Sequence, residues 1–237
     1  MIKKLFLATS LLTVMAAPAL VTPALAGSPM PIEVVCPLDG QKFTHIVTAS
    51  YSTWGMHLDG MPVGSWVFPM AVPQCPTSRL PVMKEDYSDA EKAALNALVL
   101  TPEYQAVQNE ASYYLMDFVM AKTGEQTLES HIWMLLQATW QVREDAPTYG
   151  RYAVELVAAM DSGSESVKKE NADNWPFYQL SVANVQRQSG DFDGAASRLA
   201  LVEATSLDDP MVKTWSGVTR AMIEARDNSV KEIDVED

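Results

Sequence analysis

From Ser88 onward this sequence carries helix-start and helix-stop signals spaced about one short helix apart, and that punctuation limits the fold more than any other feature. Ser88-Asp89-Ala90-Glu91 reads as a capping box ahead of an Ala/Leu-rich run. Thr101-Pro102 supplies an N-cap with proline at the first helical position, predicting a helix to Lys122 with Gly124 beyond its end. A further helix is expected over 127–143, with Ile132, Leu135, Leu136 and Trp140 on one face. Pro147 opens the next, which Ser162-Gly163-Ser164 should stop after Met160. Asn174-Trp175-Pro176 starts another to Gln188, Gly190-Asp191 makes a turn, and 192–204 and 210–226 complete the set. Helices of this length on short loops favour helical hairpins.

The stretch 27–86 is different. It is rich in proline and glycine, holds both cysteines and lacks helical periodicity. Gln41 to Ser50 reads as a strand, and Ser65 to Val72 as a second whose Pro69 pushes it to an edge or bulge. The glycine-punctuated residues between them read as a loop. The fold class is therefore α+β and predominantly α, with a small β module over 27–86, a helical domain over 87–226 and an acidic tail over 227–237, expected to fray.

The first 26 residues have the three parts of a secretory signal peptide. Lys3 and Lys4 precede an apolar stretch from Leu5 to Ala17, and Ala24-Leu25-Ala26 forms a small-x-small cleavage site ahead of Gly27. The apolar stretch is only about 13 residues, too short to span a bilayer, so cleavage is expected rather than anchoring. Export makes the mature chain periplasmic or secreted. Two of the 17 basic residues and none of the 30 acids leave with the signal, so the mature charge is 15 minus 30, or −15. Such a chain repels phosphate backbones, which argues against nucleic acid as a partner. The even pair Cys36 and Cys75 in an oxidising compartment reads first as a disulfide, with metal binding and free thiols as the alternatives. The loop it closes, roughly 40 residues, is worth at most about 4 kcal/mol in the chain-entropy account.

Two resemblances follow from short motifs. Leu180 to Val202 resembles a tetratricopeptide repeat (TPR): Ala183 and Ala195 match its small crossing positions, Gly190-Asp191-Phe192 its turn, and Leu199 its following apolar position. Gln179 and Gln186 depart from the aromatics usual in the first helix. Trp133, Leu136 and Trp140 have the first-helix spacing, but the turn from Glu144 to Pro147 is long. Cys36-Pro37-Leu38-Asp39-Gly40-Gln41-Lys42-Phe43 resembles a zinc-ribbon knuckle with Asp39 in place of its second cysteine. Cys75-Pro76-Thr77-Ser78 resembles a second knuckle, with Ser78 replacing a cysteine. The whole order is similar to an uncharacterised bacterial family with a zinc-ribbon-like module followed by TPR-like helices. The resemblance implies that the two knuckles lie close and that the surviving cysteines bond to each other in the metal's stead.

No nucleophile elbow, phosphate loop or paired histidine motif occurs, so no catalytic residue is singled out and no cofactor is expected. Met56, His57 and Met61 form a thioether and imidazole cluster suited to copper, or else gap-filling core. His131 is expected to be structural, and His45 to lie in a strand. The function these features favour is a non-catalytic exported scaffold or adaptor. It would bind another protein through TPR-like helices, where a tryptophan left exposed would be the contact. The alternative is a periplasmic metal-handling protein using the Met/His/Cys-containing front module.

Overall fold

The computed structural model describes residues 27–205 and 208–233. The expected signal peptide, with Ala24 and Ala26 of its cleavage site, and the last four residues of the tail lie outside the described residues. The fold is α+β and mostly α, in the order β1 (Ser28–Val35), β2 (Lys42–Ser50), β3 (Thr53–His57), β4 (Pro62–Gly64), α1 (Asp89–Val99), α2 (Pro102–Val107), α3 (Ser112–Thr123), α4 (Leu128–Gln141), α5 (Ala146–Glu170), α6 (Trp175–Gln188), α7 (Phe192–Glu203), α8 (Pro210–Glu224) and β5 (Glu232–Ile233).

Local chemistry sets most helix starts. Ser88 and Glu91 close the expected capping box on α1, Thr101 caps α2 through the amide of Tyr104, and Asp209 caps α8 through the amides of Met211 and Val212. Gly124, at φ 77°, ends α3 in the left-handed conformation glycine adopts without penalty.

Four expectations are corrected by tertiary contacts. The helix expected from Thr101 to Lys122 is broken into α2 and α3. The amides that a break exposes are taken up by side chains from elsewhere: Ala111 N–H donates to Tyr152 Oη at 3.2 Å and Tyr113 N–H to Gln141 Oε1 at 3.0 Å. The Ser162-Gly163-Ser164 stop is overrun, because α5 continues to Glu170. A Cβ on Gly163 would lie 2.0 Å from Leu128 Cδ2, so glycine is present for close packing against α4 rather than to end a helix. The segment Ser65 to Val72 is not a strand, since Pro69 offers no donor to a ladder. It lies along β2, with His45 Nε2 3.2 Å from the Ala71 carbonyl. The expected loop between the two strands is instead the β3–β4 hairpin, turning at Gly60 (φ 84°).

The tail is corrected as well. Its residues 232–233 form β5, which pairs antiparallel with β3 in the sheet order β4-β3-β5, and Ile233 is buried. β1 and β2 form a separate antiparallel pair.

Two main cores result, and packing crosses residue 86. Cys36, Cys75 and Leu80 pack with Leu95 and Val99 of α1, Tyr104 of α2, and Leu115 and Val119 of α3. Leu58 at the hairpin tip and Ile233 of β5 pack instead with α4 to α8.

Those five helices stand in two layers. Tyr178 Oη near the start of α6 donates to Glu129 in the first turn of α4, and Asn184 of α6 donates to Thr219 of α8. Helices α4, α6 and α8 therefore run alongside one another in the same direction. Tyr149 at the start of α5 donates to Gln188 at the end of α6, so α5 runs the opposite way. Arg198 of α7 reaches Asp161 of α5 at 2.5 Å, joining the second layer. Ala183 and Ala195 are both fully buried where α6 and α7 pack together.

Candidate protein-binding groove

The face of the α4, α6 and α8 layer is partly filled by the protein's own β3–β4 hairpin. Trp140 Nε1–H donates to the Asp59 carbonyl at 3.3 Å and Trp215 Nε1–H to the Leu58 carbonyl at 3.0 Å. The Leu58 amide donates to the Lys231 carbonyl at 2.8 Å. The Asp59 carboxylate, wholly buried, is met by Arg143 Nη2 at 2.5 Å. The Leu58 and Asp59 carbonyls, the Leu58 amide and the Asp59 carboxylate, all carried inward by the tip, thus have partners.

Beside the tip a groove of about 610 Å³ remains open. Its walls are Met56 and Gly60 of the hairpin, Trp133 and Leu136 of α4, Phe177 and Tyr178 of α6, and Met211 and Trp215 of α8. Trp133 and Leu136 are three apart, Met211 and Trp215 four apart, so each pair shares one side of its helix. Of the four helical tryptophans, Trp140, Trp175 and Trp215 are 6%, 3% and 2% exposed, whereas Trp133 is 39% exposed. Trp133 rests edge-on against Trp140, ring centroids 5.7 Å apart, which fixes its ring while leaving one side open.

The knuckle segments do meet, and they are alike in detail. In the first, Cys36 N–H donates to the Gln41 carbonyl at 2.9 Å, and Gly40 N–H to the Cys36 carbonyl at 3.0 Å. In the second, Cys75 N–H donates to the Leu80 carbonyl at 2.8 Å, and Arg79 N–H to the Cys75 carbonyl at 2.9 Å. Gly40 (φ 73°) and Arg79 (φ 60°) are left-handed at equivalent positions. The two sulfurs are 2.11 Å apart, disulfide distance.

This arrangement does not suit a metal ion. Both thiols are used in the bond, and the two replacement residues turn onto their own backbones: Asp39 Oδ1 accepts from Gln41 N–H and Ser78 Oγ from Leu80 N–H. Among the described residues no group of three His, Cys, Asp or Glu side chains is placed to share a metal. Met56 and His57 are successive residues of β3, so their side chains leave opposite faces of the strand. Met56 and Met61 pack on the helical core. His57 is half-buried, and burial, with Arg143 nearby, holds its imidazole below the usual range.

His131 has a structural partner. Its Nδ1 lies 2.9 Å from both carboxylate oxygens of Asp117, whose Oδ1 also accepts from Gln126 Nε2 at 2.6 Å. The bond to Asp117 raises the imidazole above its usual value. The spacing of Trp133, Leu136 and Trp140 did not say which ring would stay exposed, and nothing in the sequence signalled that the Met-His-Leu-Asp-Gly-Met segment would form one of the groove's walls.

No family model, curated protein or solved structure matches this chain. Among the described residues no helix is long and apolar enough to cross a membrane.

Proposed function

We propose that the mature protein is an exported, non-catalytic adaptor that holds a segment of another protein in the groove between the hairpin and helices α4, α6 and α8. The observation that carries this reading is the ring of Trp133, fixed by its neighbour and left open to solvent in an apolar groove. Large aromatic side chains held rigid in this way are favoured contact points in protein recognition. A TPR-like origin for the helical layers is supported by Ala183 and Ala195 at their buried crossing and by the two-layer order. A zinc-ribbon origin for the front module is supported by the matched knuckles. The bonded cysteine pair and the leader-like N-terminus favour the periplasm or the exterior as the place of work.

The test is a photo-crosslinking amino acid at position 133, irradiated in envelope extract of the producing cell. One discrete adduct, absent when the crosslinker stands at the exposed Val154 instead, is the expected result. A smear of adducts, or the same adduct from both positions, would refute the adaptor reading.

A further inference from the structure

The adaptor reading leaves the partner's chemistry open, and the groove's rim addresses it. Three carboxylates flank the apolar walls. Glu129 accepts from Tyr178 Oη at 2.9 Å. Asp173 directly precedes Asn174, a lining residue. Asp209 caps the helix that carries Met211 and Trp215. Glu232 lies against Gly55, on the face of β3 opposite to Met56, and so does not face the groove. All three rim carboxylates are exposed, and among the described residues none of them makes an ion pair.

Nearby cations offset this rim only in part. None of the lining residues is basic. Lys213 lies two residues from both Met211 and Trp215, about 200° round α8, so it faces away from the groove. Lys168, over the Trp175 ring at 4.6 Å, keeps its charge and offsets part of the rim's. The whole chain is also acidic, at −13, so the local field is not opposed from a distance.

Resting on the adaptor reading, we infer that the groove takes a cationic apolar segment: a short run of large apolar side chains flanked by Lys or Arg. The apolar run meets Trp133, Phe177 and Met211, and the flanking cations meet the unpaired carboxylates. An acidic segment would place like charges together at the rim.

A random dodecapeptide display library selected on the folded mature protein tests this. The recovered peptides should carry an apolar centre with basic flanks. A synthetic copy of the leading peptide, measured by fluorescence anisotropy, should lose at least about tenfold in affinity when its Lys and Arg are replaced by Glu. That difference should shrink in high salt and in the variant Glu129→Gln/Asp173→Asn. Binding should be lost in Trp133→Ala and, should that variant fold poorly by circular dichroism, in Met211→Lys. Peptides that bind through Trp133 without any charge preference overturn the cationic inference and leave the groove reading intact. Peptides indifferent to both groove variants, or no enrichment at all, overturn both.

Discussion

Replacing Arg143 by methionine would remove the counter-charge of a buried carboxylate while keeping most of the side chain's apolar volume. Asp59 is 0% exposed and Arg143 only 15%, and they meet at 2.5 Å. Breaking such a pair from one side costs roughly 3 to 5 kcal/mol, mostly because the stranded charge stays in the interior. The lower end applies here, because Arg143 retains some contact with water, so Arg143→Met should lose about 3 kcal/mol. Asp59→Asn/Arg143→Met has no stranded charge and should lose only about 1 kcal/mol, for the hydrogen bonds no longer made. The double variant is thus more stable than the single one by about 2 kcal/mol. Urea unfolding followed by tryptophan fluorescence measures this directly, since Trp140 and Trp215 are bonded to the same hairpin tip. A single variant within about 0.5 kcal/mol of the parent, the size of a routine surface change, would refute the view that this pair fastens the hairpin. So would a double variant no more stable than the single one.

Three further outcomes are expected. Gly163→Ala should destabilise by about 1 to 2 kcal/mol, although helix propensity alone favours alanine by about 1 kcal/mol, because its Cβ collides with Leu128; thermal unfolding decides the sign, and Leu128→Ala in the same chain should recover the loss. His131→Asn should cost more stability in mild acid than above neutrality. The folded-state pKa of His131 is raised, so its bond to Asp117 contributes fully below the ordinary value of about 6.5 and fades as pH climbs through the raised one; equal losses at about pH 5.5 and about pH 8.5 would contradict this. Asp39→Cys/Ser78→Cys, kept reduced, should bind one zinc or cobalt ion per chain with the absorption of a four-thiolate site, because the matched knuckles already bring Cys36 and Cys75 together. No metal uptake at equimolar concentration would count against the ribbon ancestry.

The sequence alone determined where most helices begin, because caps and first-turn prolines act within a few residues of chain. Ser88, Thr101 and Asp209 needed no tertiary partner to do their work. It also made the β2 strand legible in Gln41 to Ser50, where β-branched residues recur. Tertiary structure decided what depends on partners far along the chain. The break at α2 relies on side chains of Gln141 and Tyr152, and the persistence of α5 past Gly163 relies on Leu128. Tail residues 232–233 become a strand only because β3 offers them an edge. The groove belongs to this second group. Its tryptophans were visible as a spacing, but which of them stayed exposed was set by a hairpin that occupies part of the helical face. Occupancy of a shared surface is a property of three-dimensional packing that no local pattern encodes.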